Sequence, residues 1–277
     1  TQEKNEVKQY LAEAKDYDAE IVNIKEKEEI ENIEKSMSQK VFSIFDNDLF
    51  EIKIFRLENN FGGFIVNIHH IISDGWTLGL VSRKIMGAYS KIIKNDEAEE
   101  TKFSYIEYAE NQKEYLNSEK FVKDKKYWMD CFKNNINPAS LPSDKTINGS
   151  DLSCLGERLD FTISKTKMKA ITEFCLNNGL TVFNFLMSIY SIYISKIINS
   201  TDFSIGTPIL NRTNFKEKSI MGMFINIVPF RIKFDETTDF IEFASSIAKD
   251  TVSILRHQKY PYQLLLEEMR KSDSSIP

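Results

Sequence analysis

The feature that most constrains the fold of this chain is a β-rich run that ends at a tight turn and continues as a helix. Residues 61–72, FGGFIVNIHHII, favour a strand, and Ser73-Asp74-Gly75 is a turn signal. Beyond the turn, apolar residues recur at the spacing of one helix face, at Leu78, Val81, Ile85, Tyr89 and Ile92. The order strand, turn, helix predicts a layered α/β sandwich.

A second β-rich run precedes this one. Residues 49–60, LFEIKIFRLENN, are separated from it by a polar stretch and a Gly62-Gly63 pair, so the two runs predict a β-hairpin. The first forty residues are rich in Lys and Glu, and they fit an exposed helix as well as a solvated loop.

The remaining elements follow from similar patterns. Aromatic residues at helical spacing predict one or two helices over 105–132. Residues 134–151 hold two prolines and many Asn, Ser and Asp residues, so we place a domain boundary near 137 to 152. Beyond it we expect strands at 157–164, 202–210 and 223–234 and helices at 165–179, 181–198 and from Asp239, with Gly179 as a C-cap and Asp239 as an N-cap.

Composition excludes several classes of function. A net charge of -5 and a pI near 5.5 give no electrostatic reason to expect nucleic acid or an anionic membrane as partner. Cys131, Cys154 and Cys175 are odd in number and lack C-x-x-C spacing, which argues against disulfides and zinc and favours the cytoplasm. Residues 181–198 are the most apolar helical stretch, but five polar residues interrupt them, so we expect a core helix. The first residues lack an initiator Met and a signal-peptide pattern, which suggests a piece of a longer chain.

Histidine is rare in the chain, with three residues, and two of them are adjacent. On a strand, His70 would share a face with Ile68 and Ile72, whereas His69 would face the other way, so the pair would not chelate one metal. An imidazole at the end of an apolar strand is suited to act as a general base, and His70 is our candidate. The alternative is a hydrogen-bonded core histidine.

The turn after His70 adds two candidate residues. Asp74 could anchor the loop through an arginine or backbone amides, and Gly75 would permit a positive φ and close approach of a substrate. An ordinary turn is the alternative for both. The chain lacks G-x-S-x-G, G-x-x-x-x-G-K-S/T, G-x-G-x-x-G and H-E-x-x-H, so serine hydrolases, nucleotide-binding proteins and zincins lack their signatures here.

Residues 66–81, VNIHHIISDGWTLGLV, resemble the active-site motif of the condensation domains of non-ribosomal peptide synthetases, in the superfamily of chloramphenicol-acetyltransferase-like acyltransferases. Four further segments resemble family motifs in the family's order: YIEYA at 105–109, GTPILNR at 206–212, GMFIN at 222–226 and HQKYPY at 257–262. Glu107, Asn111 and Tyr262 depart from the residues usual there. The likeness extends over roughly residues 16 to 270.

The resemblance implies a fold and its division. It predicts a chloramphenicol-acetyltransferase-like α/β sandwich of two lobes, each a mixed sheet covered by helices. The lobes would comprise residues 1–140 and 141–277, both incomplete, since whole members have a further segment at each end.

The resemblance also implies a reaction, the joining of two thioesters bound to donor and acceptor peptidyl carrier proteins beside an adenylation domain. The only cofactor would be the phosphopantetheine arms of the carriers. His70 would deprotonate or position the attacking amine, and the Gly75 amide would stabilise the oxyanion. His69 would be a structural residue of the active site, Asp74 would pair with Arg212, and Gly222 and Asn226 would line the substrate channel.

Two other functions fit the same residues. The chain could be a non-catalytic module that docks carrier proteins, or a related enzyme that epimerises or forms esters. Ile71, Ile72, Ser73, Trp76 and Thr77 resemble peptide-forming members more than epimerases. The third histidine, His257, is expected at a helix C-terminus without a catalytic role.

Overall fold

The computed structural model describes residues 2–3, 6–7, 10, 16–45, 47–58, 61–97, 103–133, 141–142 and 158–272. The chain forms two compact units. The first comprises Thr1–Leu116 and Arg212–Ile225, and the second comprises Asn117–Asn211 and Asn226–Pro277. The segment that connects the last two strands therefore belongs to the first unit. The predicted division into residues 1–140 and 141–277 falls at the edge of the described residues, since residue 140 is not among them. That division stays a prediction.

The first unit is built on a three-stranded mixed sheet. Strand β4 lies in the centre, parallel to β3 and antiparallel to β5, so the predicted hairpin is confirmed, and β1 and β2 form a separate antiparallel pair. The elements are β1 (Gln2–Glu3), β2 (Glu6–Val7), β3 (Glu20–Ile24), α1 (Glu28–Ser38), β4 (Phe50–Leu57), β5 (Gly62–Ile68), a 3-10 turn (His70–Ile72), α2 (Gly75–Ile93), α3 (Tyr105–Leu116) and α7 (Phe215–Ser219).

The second unit surrounds an antiparallel pair of strands. Its elements are α4 (Glu119–Cys131), α5 (Lys165–Asn177), α6 (Val182–Ile198), β6 (Asp202–Ile209), β7 (Asn226–Lys233), α8 (Phe240–Arg256) and α9 (Tyr262–Ser272). Alternate residues of β7 point into the core, because successive side chains of a strand face opposite ways. Helices α8 and α9 cover this face, and their buried residues share one cluster with Val228, Phe230 and Ile232.

The helix ends follow from local chemistry. Asp239 accepts hydrogen bonds from the amides of Ile241 and Glu242 and so caps α8, as predicted. Gly179 follows the last turn of α5 with φ +66°, the left-handed conformation that glycine adopts without strain. Thr181 and Asn184 cap the start of α6 reciprocally. In the described part of the chain, no single helix is long and apolar enough to span a membrane, and only the bent pair α5 and α6 passes that test together.

One expectation about local structure is wrong. No strand forms over residues 158–164, the described part of the predicted strand, where Leu159 is 77% and Phe161 is 87% exposed. A strand needs a hydrogen-bonded neighbour, and none of the described strands pairs with this segment. In the second unit, the described strands β6 and β7 form a two-stranded antiparallel ribbon.

Candidate active site

The segment from His69 to Gly75 turns the chain from β5 into α2. The ladder with β4 ends where Ile68 pairs with Phe50, and the His69 amide then donates to Leu49 O at 2.8 Å. His69 caps the turn that follows, because its Nδ1 accepts a hydrogen bond from the Ile71 amide at 3.1 Å. This bond orients the His69 ring within the turn, which is a structural role.

His70 does not lie on the strand, contrary to the sequence-based expectation. It is the first residue of the 3-10 turn, and its carbonyl accepts a hydrogen bond from the Ser73 amide. Its side chain is exposed, so the apolar walls inferred from strand alternation are not formed by its neighbours on β5. The period-2 argument fails here because the backbone leaves the extended conformation directly after Ile68.

Asp74 caps α2 and Gly75 begins the helix. An Asp74 carboxylate oxygen accepts a hydrogen bond from the Thr77 amide at 2.8 Å. Gly75 is not among the residues with positive φ, so the expected left-handed turn at this glycine is wrong. A Cβ at Gly75 would meet nothing within 4 Å, and its amide has no hydrogen-bond partner among the described residues. The open space at Gly75 therefore permits the close approach that was expected.

Asp74 also forms the ion pair that the resemblance implies. Its carboxylate receives Arg212 Nη2 at 3.1 Å, and both side chains are fully buried. The Phe224 amide donates to the same carboxylate at 3.1 Å. Burial opposes ionisation of Asp74, but the hydrogen bonds from Thr77, Phe224 and Arg212 outweigh it, so the pKa of Asp74 is lowered. Asp74 is therefore an ionised structural anchor.

The Arg212 guanidinium organises the loop that follows it. Its Nη1 donates to the carbonyls of Glu217 and Ile220, and its Nη2 donates to the Gly222 carbonyl at 3.1 Å. The guanidinium lies 3.8 Å from the centre of the Phe224 ring, a cation–π contact. A lysine has neither this planar fork nor its number of donors, so arginine is the residue that suits the position.

Gly222 is buried beneath an aromatic ring. A Cβ at this position would lie 2.1 Å from Cδ2 of Tyr105, and the φ of Gly222 is +156°. Tyr105 in turn donates to Met223 O at 2.7 Å, and its ring packs edge-on against Phe224. The surroundings of Gly222 give it a packing role, and they offer no support for its expected place in a channel.

Asn226 anchors a turn in the second unit. Its Nδ2 donates to the carbonyls of Gln258 and Tyr260, both at 2.8 Å, and its Oδ1 accepts from the Ile227 amide at 3.0 Å. The side-chain amide of Asn226 is thus bonded to backbone groups at the start of β7. Lining of a channel by Asn226 stays a prediction.

His257 lies at the end of α8, where a histidine was expected at a helix C-terminus. Its Nδ1 lies 2.5 Å from the buried Asp124 carboxylate, and its ring stacks on Tyr127 with centroids 3.9 Å apart. The Asp124 carboxylate also pairs with Lys120. These contacts describe a packed structural histidine.

Sequence reasoning did not identify three residues that hold the site in place, Thr77, Tyr105 and Glu217. Glu217 is buried and accepts hydrogen bonds from the amide and hydroxyl of Thr213. Thr77 immediately follows the Asp-Gly-Trp segment, and Tyr105 begins one of the five family segments. Position within those segments was the available signal for Thr77 and Tyr105, but their partners, Gly222 and Met223, are more than a hundred residues away in the sequence.

Comparison with known proteins agrees with these observations. The family described as "Condensation domain" matches residues 1–276. Surfactin synthase subunit 1 of Bacillus subtilis is 33% identical over 240 residues, which are 86% of this chain and 7% of that protein. One component of plipastatin synthase from the same species is 30% identical over 277 residues, 99% of this chain and 11% of that protein.

Solved structures show the same fold. SgcC5 from Streptomyces globisporus is similar with a TM-score of 0.77 and 16% identity, over 97% of this chain and 61% of that one. The first condensation domain of the calcium-dependent antibiotic synthetase gives a TM-score of 0.72 at 14% identity, over 92% of this chain and 56% of that one. This chain thus spans about a tenth of the two curated relatives and about three fifths of the solved structures. The match of the family over nearly the whole chain shows that it belongs to the condensation-domain family.

Proposed function

We propose that these 277 residues form part of an amide-forming acyltransferase, in which His70 acts on the attacking amine. The observation that carries the proposal is the turn His69–Gly75. A fully buried ion pair holds the turn through Asp74. The turn leaves the His70 side chain exposed, and it ends at the Gly75 amide, which has no hydrogen-bond partner among the described residues. Acyl transfer needs a base and a donor to the oxyanion, and this turn carries a candidate for each.

The bonds and protons of the reaction balance within the two substrates. The amine nitrogen of the acceptor attacks the carbonyl carbon of the donor thioester, so a C–N bond forms as the C–S bond breaks. The donor phosphopantetheine leaves as a thiolate and takes up the proton that the amine loses. His70 orients the amine or carries that proton, because an imidazole exchanges protons near neutral pH.

Negative charge develops on the thioester carbonyl oxygen during the attack. The Gly75 amide is at the first position of α2, where unpaired amides and the helix dipole favour an anion. One well-aimed donor of this kind contributes about 3 to 4 kcal/mol to transition-state stabilisation in acyl-transfer enzymes. Asp74 stays out of the chemistry, since its carboxylate is committed to Arg212 and backbone amides.

The partners follow from the reaction. The substrates are donor and acceptor peptidyl carrier proteins with phosphopantetheine arms, and an adenylation domain lies adjacent. The two Bacillus relatives are synthase components much longer than this chain, which supports neighbours of this kind. The described cysteines, Cys131 and Cys175, are free thiols, which supports a reducing cytoplasm.

The test uses the natural polypeptide that contains these 277 residues. A loaded donor carrier and an aminoacyl acceptor carrier are mixed with the wild type, His70→Ala or Gly75→Ala, and the intact acceptor is weighed by mass spectrometry. We expect the wild type to add the mass of the donor acyl group and His70→Ala to lose this gain. Gly75→Ala is expected to slow the gain about tenfold or more, because a methyl group occupies the open approach.

Ser90→Ala is the matched surface control, since Ser90 is exposed on the same helix and bonds only to Met86 O among the described residues. Equal transfer by the wild type and His70→Ala would contradict a chemical role for His70. Carrier binding without any transfer would favour the docking module. Loss of the α-hydrogen or attack by an alcohol, read from the product mass with labelled substrates, would favour the epimerising or ester-forming alternatives.

A further inference from the structure

The Thr77 hydroxyl joins the first turn of α2 to the loop between β6 and β7. Thr77 is 2% exposed. Its Oγ1 donates to Gly222 O at 2.8 Å, and it accepts from Gly222 N at 3.0 Å and from Arg212 Nη2 at 3.1 Å. A hydroxyl has one proton and two lone pairs, so this group uses its whole hydrogen-bonding capacity.

Thr77 is fixed through its side chain and through its backbone. The Thr77 amide is already held by Asp74 at 2.8 Å, so backbone and side chain of the same residue are both fixed. Two bonds to the backbone of Gly222 and a third to Arg212 define both the position and the rotation of the helix's first turn. Gly75 lies in that turn, and the direction of its amide follows from the rotation.

The packing around Gly222 adds to this constraint. The Tyr105 ring packs against Gly222 and leaves no room for a Cβ. The Gly222 backbone therefore has little freedom to follow a displaced helix. Loss of the Thr77 hydroxyl would also leave the buried N–H and C=O of Gly222 without this partner, and the first turn of α2 would lose the three bonds that fix its rotation.

We propose that Thr77 is a positioning residue for acyl transfer, whose hydroxyl sets the direction of the Gly75 amide toward the developing oxyanion. The inference rests on the proposed function above. Thr77 acts through the first turn of α2 and does not touch substrate, because it is buried. Small errors in donor direction reduce transition-state stabilisation more than they reduce substrate binding.

The kinetic test compares Thr77→Val with Thr77→Ser in the natural polypeptide, well below the unfolding temperature of each. Valine keeps the shape and loses the hydroxyl, whereas serine keeps the hydroxyl and loses a methyl group. We expect Thr77→Val to lower kcat about tenfold or more with KM within about twofold, and Thr77→Ser to stay within about threefold in both. Thr172→Val is the matched control, because Thr172 is an exposed helical threonine whose hydroxyl donates to Met168 O.

Amide hydrogen exchange tests the bonds between Thr77 and Gly222 without the reaction. A failure of the proposed function is therefore distinguished from a failure of this inference. In the folded wild type, the Gly222 amide is expected to be protected by its bond to Thr77. Thr77→Val should raise exchange at the amides of Gly222 and residue 77 about tenfold, and Thr77→Ser should not. An unprotected Gly222 amide in the wild type overturns the proposal even where the valine variant does not fold. A valine variant with wild-type kcat, or a serine variant as slow as valine, overturns it equally.

Discussion

Asp74 and Arg212 are 138 positions apart in the sequence, and their buried side chains form an ion pair of 3.1 Å. The pair fastens the start of α2 to the loop between β6 and β7. The carboxylate also receives the amides of Thr77 and Phe224, so two backbone segments depend on one charged group. The turn that presents His70 is thereby held from its C-terminal side.

Breaking this pair on one side should destabilise the protein strongly. Asp74→Ala or Arg212→Ala leaves one buried charge without its partner, and we expect each to lower the free energy of unfolding by about 3 to 5 kcal/mol. The double variant should cost less than the sum of the two, because it removes the unpaired charge. Urea unfolding of the four proteins measures the coupling. Strictly additive costs would show that the pair does not act as a unit.

Acid should lower the free energy of unfolding through the carboxylate of Asp74. The pKa of Asp74 is lowered from an ordinary value of 3.8, so the unfolded chain takes up the proton at a higher pH than the folded one. Its contribution is therefore complete above about pH 4 and is lost as the pH falls through the folded pKa. Asp202, whose pKa is lowered by Arg231, should contribute in the same direction.

Urea midpoints between pH 7 and pH 3 measure this dependence in the wild type and in Asp74→Asn. The asparagine variant has no carboxyl to titrate at this position, so its midpoint should fall less steeply below about pH 4. An identical slope in the two proteins would rule out Asp74 as a source of acid sensitivity.

Gly222 should tolerate no side chain. Gly222→Ala places a methyl group 2.1 Å from the Tyr105 ring, and the φ of +156° is unfavourable for alanine. Overpacking of this kind costs about 1 to 3 kcal/mol, and the backbone strain adds to it. Thermal or urea unfolding measures this loss of stability.

Gly87→Ala is the matched control for that substitution. Gly87 lies within α2, and an added Cβ would meet nothing within 4 Å. Because alanine favours a helix over glycine, we expect the control to stabilise the protein by up to about 1 kcal/mol. If both variants lost the same stability, the contact with Tyr105 would not be the reason.

Asn226 should require an amide rather than a carboxylate. Asn226→Asp puts an acceptor oxygen against the carbonyls of Gln258 and Tyr260, which now receive hydrogen bonds from Nδ2. We expect a loss of about 2 to 3 kcal/mol at pH 7, measured by urea unfolding, and a smaller loss for Asn226→Ala. Wild-type stability of the aspartate variant would show that these two bonds do not hold the turn.

Much of the fold could be predicted because its signals are local. The hairpin of β4 and β5, the helix after Gly75 and the cap at Asp239 each depend on residues within a few positions of one another. The predicted strand at 157–164 did not form over its described part, since its alternating pattern specifies a face but provides no neighbouring strand. His70 was placed wrongly for a related reason, because its strand ends where the ladder with β4 ends.

The sequence by itself determined the order of the elements, the family and the residues of the His69–Gly75 turn, because period, turn residues and motif order are properties of the chain alone. Only the tertiary structure decided what holds that turn. Apart from the bond that joins them, the partners of Asp74 and Thr77 are more than 130 positions away, and which distant carbonyl or ring meets a side chain depends on how the loops pack. Burial makes these contacts necessary, since a polar or charged group removed from water must find its partner within the fold.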